Sequence, residues 1–91
     1  MQYMIVERFK PDTAKILYRR LHEFGRMMPE GLAYIDSWIS TDLTLCFQLM
    51  ECDDANPFDE WTTRWDDLME FEIIPVLSSE EASKKTLVPD L

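Results

Sequence analysis

The chain has 91 residues, a length expected of one domain, and carries a net charge of −9 from 18 acidic and 9 basic side chains. Its 46% hydrophobic and 12% aromatic content is typical of a packed globule rather than a disordered chain. No apolar run approaches the roughly 20 residues that cross a bilayer, and an acidic surface repels phosphate, so we expect neither membrane nor nucleic-acid partners.

The acidic excess lies entirely in residues 46–91, which predicts a solvated face or, alternatively, a patch for a basic partner. The acidic pairs lack calcium-loop spacing, so we expect no metal site. Cys46 and Cys52 have the spacing of neither a zinc site nor a redox pair. They predict reduced thiols in a cytoplasmic protein. Glu7 and Arg8 interrupt any signal-like apolar stretch in residues 1–10, so we expect no export.

The first half of the chain predicts a strand, a helix and a pair of strands. Residues 2–9 are rich in β-formers with apolar side chains on both faces, which indicates a central strand. Helical spacing predicts a helix over 13–27, ended by Gly25 and the turn that follows. Strands at 32–39 and 43–51 are joined by so few residues that they are expected to be antiparallel. The apolar stripe of the helix is Ala14, Leu17, Tyr18, Leu21, Phe24 and Met28.

The second half predicts a helix over 54–68 and a strand over 71–77, followed by a capped helical turn from Ser78. Trp61 and Trp65 are expected in the core beneath this helix. The order β-α-β-β-α-β predicts an α+β, ferredoxin-like fold with a four-stranded antiparallel sheet and two helices on one face. We assign residues 1–85 to the domain and 86–91 to a C-terminal tail.

The sheet face away from the helices is expected to be covered, because it would otherwise expose an apolar patch of a kind that monomers rarely expose. The patch consists of Leu45, Phe47, Leu49, Met4 and Val6. The sequence predicts a homodimer that packs sheet on sheet. The alternative is that the C-terminal segment, with Leu87, Val88 and Leu91, folds back over this face.

Three stretches carry a resemblance to a known family: PEGLAYIDSWIS, FQLMECDD and DEWTTRWDDLMEFEIIPVL. Over residues 2–82 the chain resembles small bacterial proteins classed as a domain of unknown function, similar to a branch of the dimeric α/β barrel superfamily. The resemblance implies the fold and a dimer but no activity. That superfamily includes cofactor-free monooxygenases, cyclases, isomerases, haem enzymes and ligand-sensing domains. Assigning any of these activities to the chain would rest on similarity of fold alone.

Chemistry-bearing residues are sparse. His22 is the only histidine, which excludes a histidine-based metal triad, and two glycines exclude a Gly-rich phosphate loop. Strand alternation predicts that Glu7, Gln48 and Glu72 face the helices. They would form a pocket beneath Tyr18, Trp61 and Trp65, in which two carboxylates raise each other's pKa. The five candidate ligand-binding residues are therefore Glu7, Tyr18, Gln48, Trp61 and Glu72.

Two functions fit this pattern. The first is a non-catalytic homodimeric module that binds a small apolar ligand or a protein partner without a cofactor. The second is a cofactor-free monooxygenase or cyclase/isomerase that uses a carboxylate base. An enclosed cavity of about 300 Å³ or more between helices and sheet would discriminate between these two functions.

Overall fold

The computed structural model describes residues 1–86, and the fold is the predicted α+β, ferredoxin-like arrangement. Four strands, β1 (Gln2–Phe9), β2 (Ala33–Ile39), β3 (Leu45–Glu51) and β4 (Met69–Val76), form one sheet in the order β2-β3-β1-β4. All three neighbouring pairs are antiparallel. Within the described part of the chain, no helix is long and apolar enough to span a membrane.

The core lies between the sheet and the helices α1 (Ala14–Phe24) and α2 (Asn56–Thr63). Ile5 on β1 and Met50 on β3 are fully buried beneath Trp61 of α2, which is 1% exposed. Trp65 follows α2 and is also buried, which confirms the prediction that both tryptophans belong to the core.

Both main helices are shorter than predicted. Gly25 ends α1 with a positive φ of 65°, so the helix stops at Phe24 instead of residue 27. Phe24 is 63% exposed and does not join the core stripe. Pro57 lies in the first turn of α2, where its missing N–H costs nothing, but the helix gives way to tight turns after Thr63.

A bidentate ion pair links the two helical regions. Arg20 of α1 donates from Nη1 and Nη2 to the two carboxylate oxygens of Asp67, both at 2.8 Å. The Arg20 guanidinium also lies 5.6 Å from the centre of the Trp65 ring. Arg20 therefore supplies the positive charge that faces Asp67 in the turns after α2.

A third helix, α3 (Ser79–Thr86), is longer than the single turn predicted. Ser78 and Glu81 form a capping box: the Glu81 amide donates to Ser78 Oγ at 3.1 Å, and the Ser78 amide donates to Glu81 Oε1 at 3.4 Å. None of the α3 side chains is buried. The predicted tail beyond Thr86 lies outside the described residues.

The face of the sheet away from α1 and α2 carries a band of apolar side chains. Val6, Phe47 and Trp38 are aligned across three neighbouring strands by the register, and Met4, Leu49 and Ile74 form the next row. Phe47 and Leu49 are half-buried, whereas Trp38 is 51% exposed. We call this band the apolar sheet face.

Candidate functional site

A cavity of about 150 Å³ lies between the sheet and the two main helices. Its polar lining consists of Glu7, Arg26, Ser37, Cys46 and Gln48, and its apolar lining includes Leu17, Tyr18, Leu21, Trp61, Trp65 and Met69. Tyr18 and Ile39 line the cavity while remaining 41% and 39% exposed, so the cavity opens to solvent beside them. The cavity is open and its volume is half of about 300 Å³, so the size criterion set from the sequence is not met. A volume of about 150 Å³ suits a benzene-sized ring.

Glu7 is the acidic group of this lining and is only 4% exposed. Burial raises the pKa of its carboxyl above the ordinary value of 4.5, because the charged form loses its hydration. Hydrogen bonds from Gln48 and Cys46 and the positive charge of Arg26 act in the opposite direction but do not cancel the effect of burial.

The sheet register explains why these groups meet. Glu7 on β1 is directly opposite Cys46 on β3, and Gln48 is two residues further along the same face. Burial and the neighbouring Glu7 carboxyl raise the pKa of the Cys46 thiol to about 12. Cys46 is therefore a neutral thiol that donates to Glu7 and not a nucleophile.

Arg26 closes one side of the cavity. Its Nε donates to Gln48 Oε1 at 3.4 Å and its Nη2 donates to Ser37 Oγ at 3.3 Å. The guanidinium lies 3.8 Å from the centre of the Tyr34 ring. Gln48 therefore accepts a hydrogen bond from Arg26 and donates one to Glu7, which links the cation to the buried acid through one amide.

The backbone of Arg26 is fixed by the two core tryptophans. The indole N–H groups of Trp61 and Trp65 both donate to the Arg26 carbonyl, each at 3.1 Å. Arg64 donates to the next carbonyl, that of Met27. The loop after α1 is thereby tied to the α2 region at two successive carbonyls.

Four of the five predicted site residues line the cavity: Glu7, Tyr18, Gln48 and Trp61. The prediction that Glu72 faces the helices is wrong. Met69 begins β4 and is buried, so Phe71 and Ile73 share its face, and Glu72 lies on the opposite side of the sheet. There it accepts a hydrogen bond from Arg8 at 3.2 Å, and both side chains are half-exposed. The predicted pair of carboxylates does not form.

Sequence reasoning missed Arg26, Ser37 and Tyr34. Arg26 continues the polar back of the predicted helix, and only the early stop at Gly25 turns it toward the sheet. His22 is exposed, and among residues 1–86 no group of three or more His, Cys, Asp or Glu side chains could hold a metal ion.

Comparison with known proteins adds the family but no activity. No curated protein matches the chain. A family described as "Domain of unknown function (DUF3303)" matches residues 1–87, which is nearly the whole sequence. The chain therefore belongs to the DUF3303 family, a domain of unknown function.

Proposed function

We propose that this protein is a non-catalytic module that binds a small, largely apolar molecule between its sheet and its helices. The observation that carries the proposal is a solvent-connected cavity with aromatic and aliphatic walls and one buried carboxyl, Glu7. Ligand sites are typically mostly apolar, with a few polar groups that fix the orientation of the ligand.

The cavity walls are held in place before any ligand arrives. Trp61 and Trp65 are fixed through their indole N–H groups, and Arg20 lies over Trp65 while it pairs with Asp67. A preorganised wall lowers the entropic cost of binding, because few side chains must be immobilised. This rigidity supports binding as the function of the cavity.

An enzymatic function, a cofactor-free monooxygenase or cyclase/isomerase, would depend on Glu7 as the base. Its raised pKa suits proton transfer closer to neutral pH. Glu72 lies on the other face of the sheet, so it cannot act as the second carboxylate of this hypothesis. The raised pKa of Cys46 keeps its thiol protonated, so Cys46 does not provide a nucleophile either. Binding is therefore the better supported function.

Native mass spectrometry of protein purified from its own host tests the proposal. We expect the folded chain to carry a defined additional mass, which Leu21→Trp should remove because the larger side chain fills the cavity. Leu43→Trp is the matched control, since Leu43 is 57% exposed and does not line the cavity. A chain mass without any adduct, together with no spectral response to small aromatic probes, would refute the binding function. Release of a chemically altered molecule after incubation would favour the enzyme.

We also propose that two copies pack through the apolar sheet face to give a dimeric α/β barrel. Four strands about 4.8 Å apart and about 25 Å long present roughly 500 Å² per copy. Two such faces bury about 1,000 Å², the lower size of a specific interface. The alternative cover, Leu87 and Leu91 of the tail, lies outside the described residues.

A further inference from the structure

We propose that the ligand of this cavity is a neutral single-ring molecule with a hydroxyl or N–H donor, which binds the carboxyl of Glu7. This inference rests on the proposed binding function and specifies its ligand class. It follows from the hydrogen-bond inventory of Glu7, from the balance of charge around it, and from the size of the cavity.

The Glu7 carboxyl has acceptor capacity to spare. A carboxylate offers about four acceptor positions, and within residues 1–86 the side chains that lower the pKa of Glu7 by hydrogen bonding are those of Gln48 and Cys46. Glu7 lines this solvent-connected cavity, so a further donor comes either from water or from a ligand that displaces it. A ligand without a donor would place apolar atoms against a buried carboxyl and would pay for its desolvation without compensation.

The charges around the cavity disfavour an ionic ligand of either sign. A carboxylate ligand would meet Glu7, and the guanidinium of Arg26 is already bonded to Gln48 and Ser37 and stacked on Tyr34. An ammonium ligand would find its attraction to Glu7 offset by Arg26, whose charge already acts on that carboxyl. A neutral donor avoids both repulsions.

The dimensions and walls of the cavity favour a flat ring. A volume of about 150 Å³ holds one six-membered ring with a small substituent. The Trp61 and Trp65 side chains line it, and aromatic rings pack well in offset or edge-to-face arrangements.

An NMR titration of the full chain with four probes of similar size tests the inference: phenol, toluene, benzoate and benzylammonium at neutral pH. The indole N–H signals of Trp61 and Trp65 report from the cavity, and that of Trp38, on the opposite face, is the internal control. We expect phenol to shift the first two signals and to bind about tenfold more tightly than toluene, because its hydroxyl makes a charge-assisted hydrogen bond. Benzoate and benzylammonium should bind more weakly than phenol.

Two matched variants locate the interaction. Glu7→Gln should weaken phenol binding about fivefold and leave toluene binding unchanged, because a neutral amide oxygen is a weaker acceptor. Glu72→Gln makes the same chemical change on the other face and should alter neither affinity. If Glu7→Gln does not fold, the order of the four binding affinities on the unmodified chain decides whether the ligand needs a neutral donor.

The outcomes separate this inference from the proposed function. Toluene, benzoate or benzylammonium binding more tightly than phenol, or phenol binding that is insensitive to Glu7→Gln, would overturn the donor assignment and leave a binding cavity. If none of the probes shifts the Trp61 and Trp65 signals, the inference fails, and the proposed function fails with it when the native mass spectrum also shows no adduct.

Discussion

At the scale of single residues, Glu7 is the clearest departure from what packing alone would select. An acid at 4% exposure on a central strand is costly unless its partners compensate. Gln48 and Cys46 supply hydrogen bonds, and Arg26 supplies a positive charge at the other end of the Gln48 amide. An apolar residue would fill the same position more cheaply, which is why we connect Glu7 with binding rather than with stability.

The burial of Glu7 predicts how stability depends on pH. Its folded-state pKa lies above the ordinary value of 4.5, so between these two values the folded state binds more protons than the unfolded state. The free energy of unfolding should therefore fall as pH rises through this window, by up to about 1.4 kcal/mol per pH unit from this group, and level off above the folded-state pKa.

Urea denaturation at a series of pH values, with Glu7→Gln as reference, measures this effect. The reference is needed because other groups act in the opposite direction. Hydrogen bonds lower the pKa values of Asp42 and Asp67, so the stabilisation of the fold by these two carboxylates is lost as pH falls. The free energy of unfolding of the parent, minus that of Glu7→Gln, should fall as pH rises. A difference independent of pH would show that Glu7 titrates normally.

The site was predictable from the sequence where strand alternation decides it. Alternation decides the placement of Gln48, because Leu45, Phe47 and Leu49 mark the other face of β3. The first strand is apolar at both parities, and only the burial of Ile5 in the structure identifies the face of Glu7. On β4 both parities carry apolar side chains, so the alternation does not distinguish Glu72 from Phe71; the start of the strand at buried Met69 does. Arg26 was beyond prediction because its position depends on the backbone at Gly25.

At the scale of elements, the loop between α1 and β2 connects the cavity with the helices. Gly25 has φ 65° and ψ −158°, a conformation that side-chain-bearing residues adopt only under strain. The next residue, Arg26, presents its guanidinium to Gln48 and its carbonyl to both tryptophans. The backbone turn at Gly25 thus places both the side chain of Arg26 beside Gln48 and its carbonyl beside the two tryptophans.

Gly25→Ala should destabilise the fold by about 1–3 kcal/mol through backbone strain. No neighbouring atom lies within 4 Å of an added Cβ, so a steric clash would not account for the loss. Chemical denaturation gives the change, and Phe24→Ala, one residue earlier and 63% exposed, is a control expected within about 0.5 kcal/mol of the parent. Equal stability of Gly25→Ala and the parent would mean that the turn relaxes without strain.

The order and type of the main elements followed from periodicity, whereas their ends did not. The predicted strands at 2–9 and 32–39 agree with β1 and β2 to within one residue. The helices were overestimated because apolar spacing continues past their ends: Trp65 and Leu68 keep the spacing of α2 but lie in the turns that follow it. Tertiary contacts bury those residues without requiring a helix.

At the scale of the whole molecule, the proposed dimer gives a direct measurement. Light scattering at micromolar concentration should return twice the 10.8 kDa chain mass. Phe47→Asp should convert the protein to a folded monomer, because a charge at the centre of the apolar sheet face cannot be buried without a partner. Leu43→Asp, in the turn before β3, should remain dimeric.

Circular dichroism must show that Phe47→Asp is folded before its mass is interpreted. If Phe47→Asp unfolds, Trp38→Glu provides a second test, since Trp38 lies on the same face and is 51% exposed. A monomeric parent, or dimers that survive both charges, would place any interface elsewhere.

The labelling rates of the two free cysteines report how the folded molecule opens. Both thiols are buried and Cys46 also lines the cavity, so a thiol reagent too large to enter the cavity reacts with either one only when the surrounding structure opens. Cys46 lies within β3, and its exposure requires that strand to separate from β1 or from the helices. Cys52 follows β3, its amide is bonded to the carbonyl of Met1 and its thiol belongs to the buried core, so its exposure requires this end of the sheet to open. Labelling rates at the two sulfur atoms therefore distinguish local breathing at the end of the sheet from opening through its centre.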